Sequence, residues 1–123
     1  MSRTSMSRIV ASLAFTMVAS TAFAHAQLLK AVPAVGGKVT ASPNEIRLTF
    51  SEGVEPRFSG IALATETGAE EPTGKPSVDS ADNRVLVATV LQALKPGIYT
   101  VRWHAVSVDT HRTQGSFNFT VAP

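Results

Sequence analysis

The clearest strand pattern in the chain is Pro96-Gly97-Ile98-Tyr99-Thr100-Val101-Arg102-Trp103-His104. Within it Tyr99, Val101 and Trp103 alternate with other residues, and a period of two is typical of a β-strand with one buried face. We therefore predict a strand over residues 98–104. The Pro-Gly pair before it marks a turn. A tyrosine just after such a turn suits the corner in which its hydroxyl bonds to upstream backbone in immunoglobulin-like domains.

Similar short runs occur along the rest of the chain, separated by turns rich in glycine and proline. No segment shows a convincing helical period. The further strands that we predict cover residues 27–32, 37–40, 45–50, 59–65, 84–90 and 116–121, with one weak strand inside the polar stretch 65–83. Their inward-facing side chains are predicted to be Ile46, Leu48, Phe50, Ile61, Leu63, Val85, Val87, Phe117, Phe119 and Val121. The spacing favours an all-β fold, an immunoglobulin-like β-sandwich of about seven strands.

The beginning of the chain has the pattern of a secretory signal peptide. Two arginines precede an apolar run over residues 9–19, and Ala22-Phe23-Ala24 fits a small-x-small cleavage site. We therefore predict a cleaved leader over residues 1–24 and a mature domain over residues 25–123. The mature chain would then begin with His25, whose free α-amine and imidazole can chelate a metal together.

Composition limits what the mature domain can do. Removing 24 of the 123 residues leaves 99, enough for one small domain. Nine basic residues then balance nine acidic ones, so the charge gives no support for nucleic-acid binding. After the leader no apolar stretch approaches the ~20 residues of a membrane-spanning helix, so no membrane insertion of the mature protein is expected. The chain has no cysteine, and its three methionines (Met1, Met6, Met17) all lie in the predicted leader. A metal site in the mature domain must therefore use nitrogen and oxygen ligands.

Two histidines and one aspartate are the candidate ligands. In an extended segment, residues two apart point the same way, so Asp109 and His111 could converge on one point. Together with His25 they would supply two imidazoles, one amine and one carboxylate. That donor set suits Cu(II), and it is also usable by Zn(II) or Ni(II). The third histidine, His104, is predicted to be an outward-facing surface residue, and Arg112 could hold an acid in place.

The residues from His25 onward resemble the CopC family of periplasmic copper-binding proteins. The similarity is carried in order by His25 itself, Leu48-Thr49-Phe50-Ser51-Glu52, Phe58-Ser59-Gly60, Leu94-x-Pro96-Gly97-x-Tyr99, Trp103-His104-Ala105-Val106-Ser107, Asp109-Thr110-His111 and Gly115-Ser116-Phe117. Each piece is weak alone, but their order and spacing cover nearly the whole domain.

This resemblance implies a Greek-key β-sandwich that binds Cu(II) through a histidine brace. By position, His25 would supply its amine and imidazole, His111 a second imidazole and Asp109 a carboxylate oxygen. Glu52 matches a family acid near the metal, as an outer ligand or as a partner of one. The family also implies a periplasmic protein that sequesters or carries copper for homeostasis or resistance, without enzyme activity. Its implied partner is an inner-membrane protein of the CopD type.

One departure from the family and two alternative functions stay open. Some family members bind Cu(I) in a methionine-rich segment, but the corresponding residues 66–78 contain no methionine and no histidine. A shuttle between two oxidation-selective sites is therefore not expected. The first alternative is a copper-dependent oxidative enzyme, because the histidine brace also occurs in polysaccharide monooxygenases. The second is an immunoglobulin-like interaction module without a metal.

Overall fold

The computed structural model describes residues 26–123, which form two β-sheets. The predicted leader and His25 lie outside the described residues. The strands are β1 Leu28–Val32, β2 Lys38–Val39, β3 Glu45–Phe50, β4 Gly60–Thr65, β5 Glu70–Glu71, β6 Ser77–Asp79, β7 Asp82–Thr89, β8 Gly97–Val106 and β9 Arg112–Val121, with a short 3₁₀ turn at Pro56–Phe58. Within residues 26–123, no helix has the length and apolar character needed to cross a membrane.

The two sheets form a Greek-key β-sandwich, as predicted. One sheet has the order β1-β3-β7-β6 and the other the order β2-β9-β8-β4-β5. Every strand pair is antiparallel except β2 with β9, which is parallel. The described chain has nine strands where about seven were expected, and the polar stretch 65–83 holds both β5 and β6 in place of one weak strand.

The core lies between the sheets and is built by alternation along the strands. Ile46, Leu48 and Phe50 of β3 are fully buried, as their period of two predicts. Val101 of β8 and Phe119 of β9 are buried in the same cluster from the other sheet. Because each such side chain contributes about 1.5–3 kcal/mol on burial, these positions supply much of the stability of the domain.

Strand β7 turns the opposite face to the core from the one that we predicted. Leu86 and Ala88 belong to the core cluster, whereas Val87 is only partly buried and Val85, although 8% exposed and therefore buried, lies outside the cluster. The register explains this, because Leu86 pairs with the buried Leu48 and directly opposed residues share one face. Residues 85–88 are all apolar, so the sequence contained no alternation that could choose between the faces.

The predicted tyrosine corner is present at the start of β8. The Tyr99 hydroxyl donates a hydrogen bond to the carbonyl of Lys95 at 2.6 Å. The ring stacks on Phe119 with 5.7 Å between the ring centroids, and Tyr99 is 4% exposed. The bond therefore fixes the loop before β8 to the strand that carries the central alternation.

Replacing Tyr99 with phenylalanine is expected to destabilise the domain by about 1 kcal/mol. The ring can stay in place, while the Lys95 carbonyl loses its hydroxyl partner. Urea unfolding of the wild-type and Y99F proteins measures the difference, and the slope of the transition should not change. An unchanged free energy of unfolding would contradict a stabilising role for this bond.

Trp103 lies near the far end of β8, close to the turn over residues 107–111. Its indole packs edge-on against Phe50, with 5.1 Å between the ring centroids. A Cβ atom built on Gly115 would lie 2.6 Å from Trp103 Cζ2, so only glycine allows the indole this close to β9. The core is thereby closed at the end of the sandwich where β8 turns into β9.

Candidate metal centre

A tight turn over residues 107–111 joins β8 to β9. The backbone amide of Ser107 donates to the carbonyl of His111 at 2.9 Å, and that of Thr110 donates to the carbonyl of Ser107 at 2.8 Å. Thr110 has a φ of 74°, in the left-handed region that non-glycine residues seldom adopt. The turn therefore reverses the chain within five residues and brings its first and last residues together.

This turn brings the Asp109 and His111 side chains together. His111 Nδ1 lies 3.3 Å from Asp109 Oδ1, and the side chains are 50% and 38% exposed, respectively. The two side chains lie close together, as we expected, but not for the reason that we expected. The segment is turned and not extended, so the two side chains meet through the left-handed step at Thr110 and not through strand alternation.

Ser107 orients this pair from beneath and was not among our predicted site residues. It is fully buried. Its hydroxyl donates to Asp109 Oδ1 and accepts from the backbone amide of His111 at 3.3 Å. The hydrogen bond from the Ser107 hydroxyl is the largest cause that lowers the pKa of Asp109 below its usual value, and the contact with His111 lowers this pKa further. The sequence feature that could have indicated this role is a serine two residues before an aspartate in a turn. Serine hydroxyls commonly form hydrogen bonds with nearby backbone groups in turns.

The first described residues are fastened beside the same turn. Ala26 is fully buried, and its carbonyl accepts a hydrogen bond from Thr113 Oγ1 at 2.8 Å. The amide of Gln27 donates to Ser51 Oγ, and its carbonyl accepts from the amide of Ser51, both at 2.8 Å. The chain that follows position 25 is therefore fixed between the end of β3 and the start of β9, two residues beyond His111.

Glu52 follows Ser51 in the loop after β3. Its Oε1 atom is buried and has no hydrogen-bond partner among the described residues. The loop is tied to the β8–β9 turn, because the amide of Val108 donates to the carbonyl of Gly53 at 3.0 Å. A buried carboxylate oxygen without a partner is costly, so it indicates a position where a further group can bind. Within residues 26–123, however, no three His, Cys, Asp or Glu side chains form a metal-binding group.

His104 and Arg112 differ in part from what we expected. His104 does lie on the outer face of its sheet, but its ring is half-buried against Gly60. Burial, followed by the nearby charge of Arg112, lowers the pKa of His104. Within the described part of the chain, Arg112 forms no ion pair with Glu52 or Asp109, so it does not hold either acid.

Comparison with known proteins assigns the chain to a family. The sequence profile of the CopC domain matches residues 28–122. The protein YobA of Escherichia coli strain K12 is 40% identical over 112 residues, which cover 91% of this chain and 90% of YobA.

Solved structures resemble this chain in both fold and sequence. The crystal structure of CopC from Methylosinus trichosporium OB3b superposes with a TM-score of 0.75 at 32% identity, covering 80% of this chain and 95% of that one. PcoC from Escherichia coli, described as a methionine-rich copper resistance protein, gives a TM-score of 0.72 at 34% identity, covering 80% and 99%. With its profile matched over nearly all of the described residues, the chain belongs to the CopC family, whose members include copper resistance proteins.

Proposed function

We propose that this protein binds one Cu(II) ion in the periplasm and sequesters or carries it for copper homeostasis or resistance. His25 would supply its α-amine and imidazole, His111 a second imidazole and Asp109 a carboxylate oxygen. This donor set, a histidine brace with an added carboxylate, suits the tetragonal preference of Cu(II). The closeness of Asp109 and His111 supports the proposal from the described part of the chain.

The anchoring of Ala26 is the observation that carries the proposal. Ala26 bonds to Thr113, and only Arg112 separates Thr113 from His111. Consecutive Cα atoms are about 3.8 Å apart, so we propose that cleavage after position 24 would create the new α-amine near the start of β9 and the Asp109–His111 pair.

Glu52 completes the proposed site as an outer ligand or as an acceptor for a group bound to the metal. Its buried Oε1 lacks a partner among the described residues, which leaves an acceptor available at the loop after β3. A carboxylate of this kind would add negative charge near the dication and would orient a bound water or the terminal amine.

The choice of Cu(II) over Cu(I) follows from the donor types. Thiolate and thioether ligands select Cu(I), and residues 25–123 contain neither cysteine nor methionine. The PcoC relative is described as methionine-rich, so this chain differs from it in that respect. We therefore propose a single Cu(II) site without transfer to a second, Cu(I)-selective one.

A closed donor set favours binding over catalysis. Two imidazoles, an amine and a carboxylate fill the four strong positions of tetragonal Cu(II), which leaves little room for oxygen activation. We therefore propose a non-enzymatic protein that passes copper to an inner-membrane acceptor of the CopD type. Exchange with that acceptor would require one ligand to leave, and Asp109 is the weakest donor of the set.

The proposal is tested by titrating Cu(II) into protein that begins at His25, against a competing chelator. We expect one tight equivalent with a nitrogen-rich electron paramagnetic resonance spectrum. Free imidazoles have a pKa of about 6.5 and α-amines a pKa of about 7.7–8.0. Copper binding should therefore weaken as the pH falls through this range. Failure to bind one equivalent above pH 7.5 would refute the proposal.

Replacing Ser107 with alanine is expected to weaken Cu(II) binding by about tenfold. The hydroxyl fixes Asp109 and the amide of His111, and loss of such outer partners commonly costs 10–100-fold in metal affinity. Chelator competition measures the affinity, and thermal unfolding of the copper-free protein measures the loss of stability.

Ser59→Ala is the matched control for S107A. Ser59 is also buried, and its hydroxyl also bridges backbone groups, donating to Glu55 at 2.7 Å and accepting from Val106 at 3.0 Å. Both variants should lose about 1–2 kcal/mol of stability, but only S107A should lose copper affinity. Equal affinities in the two variants would show that Ser107 has only a structural role.

A further inference from the structure

A shallow pocket with a volume of about 590 Å³ lies on the side of the five-stranded sheet that faces away from the core. We call it the basic groove, and its outward-facing lining residues are Gly60, Ala62, Arg102, His104, Arg112, Gln114 and Ser116. The groove crosses β4, β8 and β9 at the end of the sheet nearest the β8–β9 turn. Neither Asp109 nor His111 lines it, so it is distinct from the proposed metal site.

The strand register gives the groove its shape. Gly60 on β4 lies opposite His104 on β8, and Ala62 lies opposite Arg102. The two β4 residues have small side chains, whereas their β8 partners have long ones. The groove is therefore shallow over β4 and is bounded by the raised side chains of β8. A Cβ atom on Gly60 would lie 2.4 Å from His104 Cε1, so the imidazole can lie against β4 only because position 60 is glycine.

The charge of the groove is positive and uncompensated. Arg102 and Arg112 are exposed, and neither forms an ion pair within residues 26–123. Two other arginines of the described chain, Arg47 and Arg84, do pair with aspartates, at 2.6 Å and 3.0 Å respectively. No carboxylate lines the groove. Acidic and basic residues balance in the mature domain as a whole, so this excess is local.

Acidic groups on the same sheet lie further along it. Glu70 of β5 pairs with Ala64, which is two residues along β4 from Ala62 and four from Gly60. At about 3.3 Å per residue, Ala62 lies within a Debye length of this row at physiological ionic strength, whereas Gly60 lies beyond one. The positive potential of the groove is therefore strongest at the end that carries Arg112.

We propose that the basic groove docks an acidic segment of a partner protein. The two guanidinium groups would bind its carboxylates, and Ala62 would contact its apolar parts. Arg112 directly follows His111, so a partner held there would lie next to the proposed copper ligands. This last consequence rests on the proposed function; the docking itself does not.

The test uses copper-free protein and acetyl-hexaglutamate-amide as the probe, followed by NMR of the backbone amides. At low salt we expect saturable shifts confined to the groove residues and their strand neighbours. Raising the salt to about 0.3 M should abolish them, because exposed charge pairs are screened. Shifts spread evenly over all basic residues would overturn the proposal.

Arg102→Glu should weaken probe binding by about fivefold or more, and Arg102→Gln should give a smaller loss with less risk to folding. Lys30→Glu is the matched control, since it makes the same charge change on the opposite sheet. Equal weakening by K30E, or displacement of the probe by equimolar inorganic phosphate, would rule out a docking site for an acidic protein segment. His111→Ala should keep full probe binding, which separates this test from that of the copper site.

Discussion

Replacing His111 with alanine is expected to weaken Cu(II) binding by at least about two orders of magnitude. Loss of a group that only orients a ligand already costs 10–100-fold, so loss of a ligand should cost more. His111 is half-exposed on a turn, its ring lies 3.3 Å from Asp109, and it is not a member of the buried core cluster. The variant should therefore fold normally, and the loss should be visible by chelator competition and by fewer nitrogen couplings in the paramagnetic resonance spectrum.

His104→Ala is the control for this prediction. His104 is the other histidine within the described residues, and its ring lies on the outer face of the sheet against Gly60. We expect its copper affinity to match that of the wild type. The assignment of His111 would be wrong if H111A bound copper as tightly as the wild type, or if H104A lost as much.

Replacing Phe50 with alanine is expected to destabilise the domain by about 3–5 kcal/mol. Phe50 is fully buried, and its ring meets Trp103 edge-on. Small domains have about 5–15 kcal/mol of stability in total, so F50A should unfold at a much lower temperature or urea concentration. Because Ser51 follows directly and holds Gln27, copper binding should weaken as a consequence of the lost fold.

Phe58→Ala makes the same chemical change at an exposed position. Phe58 is 58% exposed in the 3₁₀ turn and contacts the guanidinium of Arg57. Its removal should cost less than about 1 kcal/mol. Urea unfolding of both variants tests the assignment of the core, and comparable losses would mean that Phe50 does not have the central position described here.

The sequence predicted the strands well where one face is apolar and the other polar. For β3 and β8 the alternation defined both the strand and its buried face. It failed for β7, because residues 85–88 are uniformly apolar and only pairing with β3 selects the inward side chains. It also merged β5 and β6, since two- and three-residue strands have no period of their own and form only because a neighbouring strand pairs with them.

The candidate site was predictable in its residue types but not in its construction. The spacing of Asp109 and His111 indicated that they could meet, yet the turn at Thr110 and the buried hydroxyl of Ser107 depend on tertiary contacts. The interest of Glu52 came from family resemblance, and the structure adds that one of its oxygens is buried without a partner among the described residues. His25 lies outside the described residues, and its role stays a prediction.

Copper binding as proposed depends on the α-amine of His25 as a ligand. The most direct test compares Cu(II) titrations of protein beginning at His25 with protein that carries one extra alanine before it. The extra residue converts the amine into an amide, which removes one nitrogen donor and leaves the imidazole and the fold unchanged.

We expect the first protein to bind one Cu(II) tightly in a nitrogen-rich site. The extended protein should bind it orders of magnitude more weakly, with an altered paramagnetic resonance spectrum. Equal affinity and identical spectra in the two proteins would show that the α-amine of His25 is not a copper ligand.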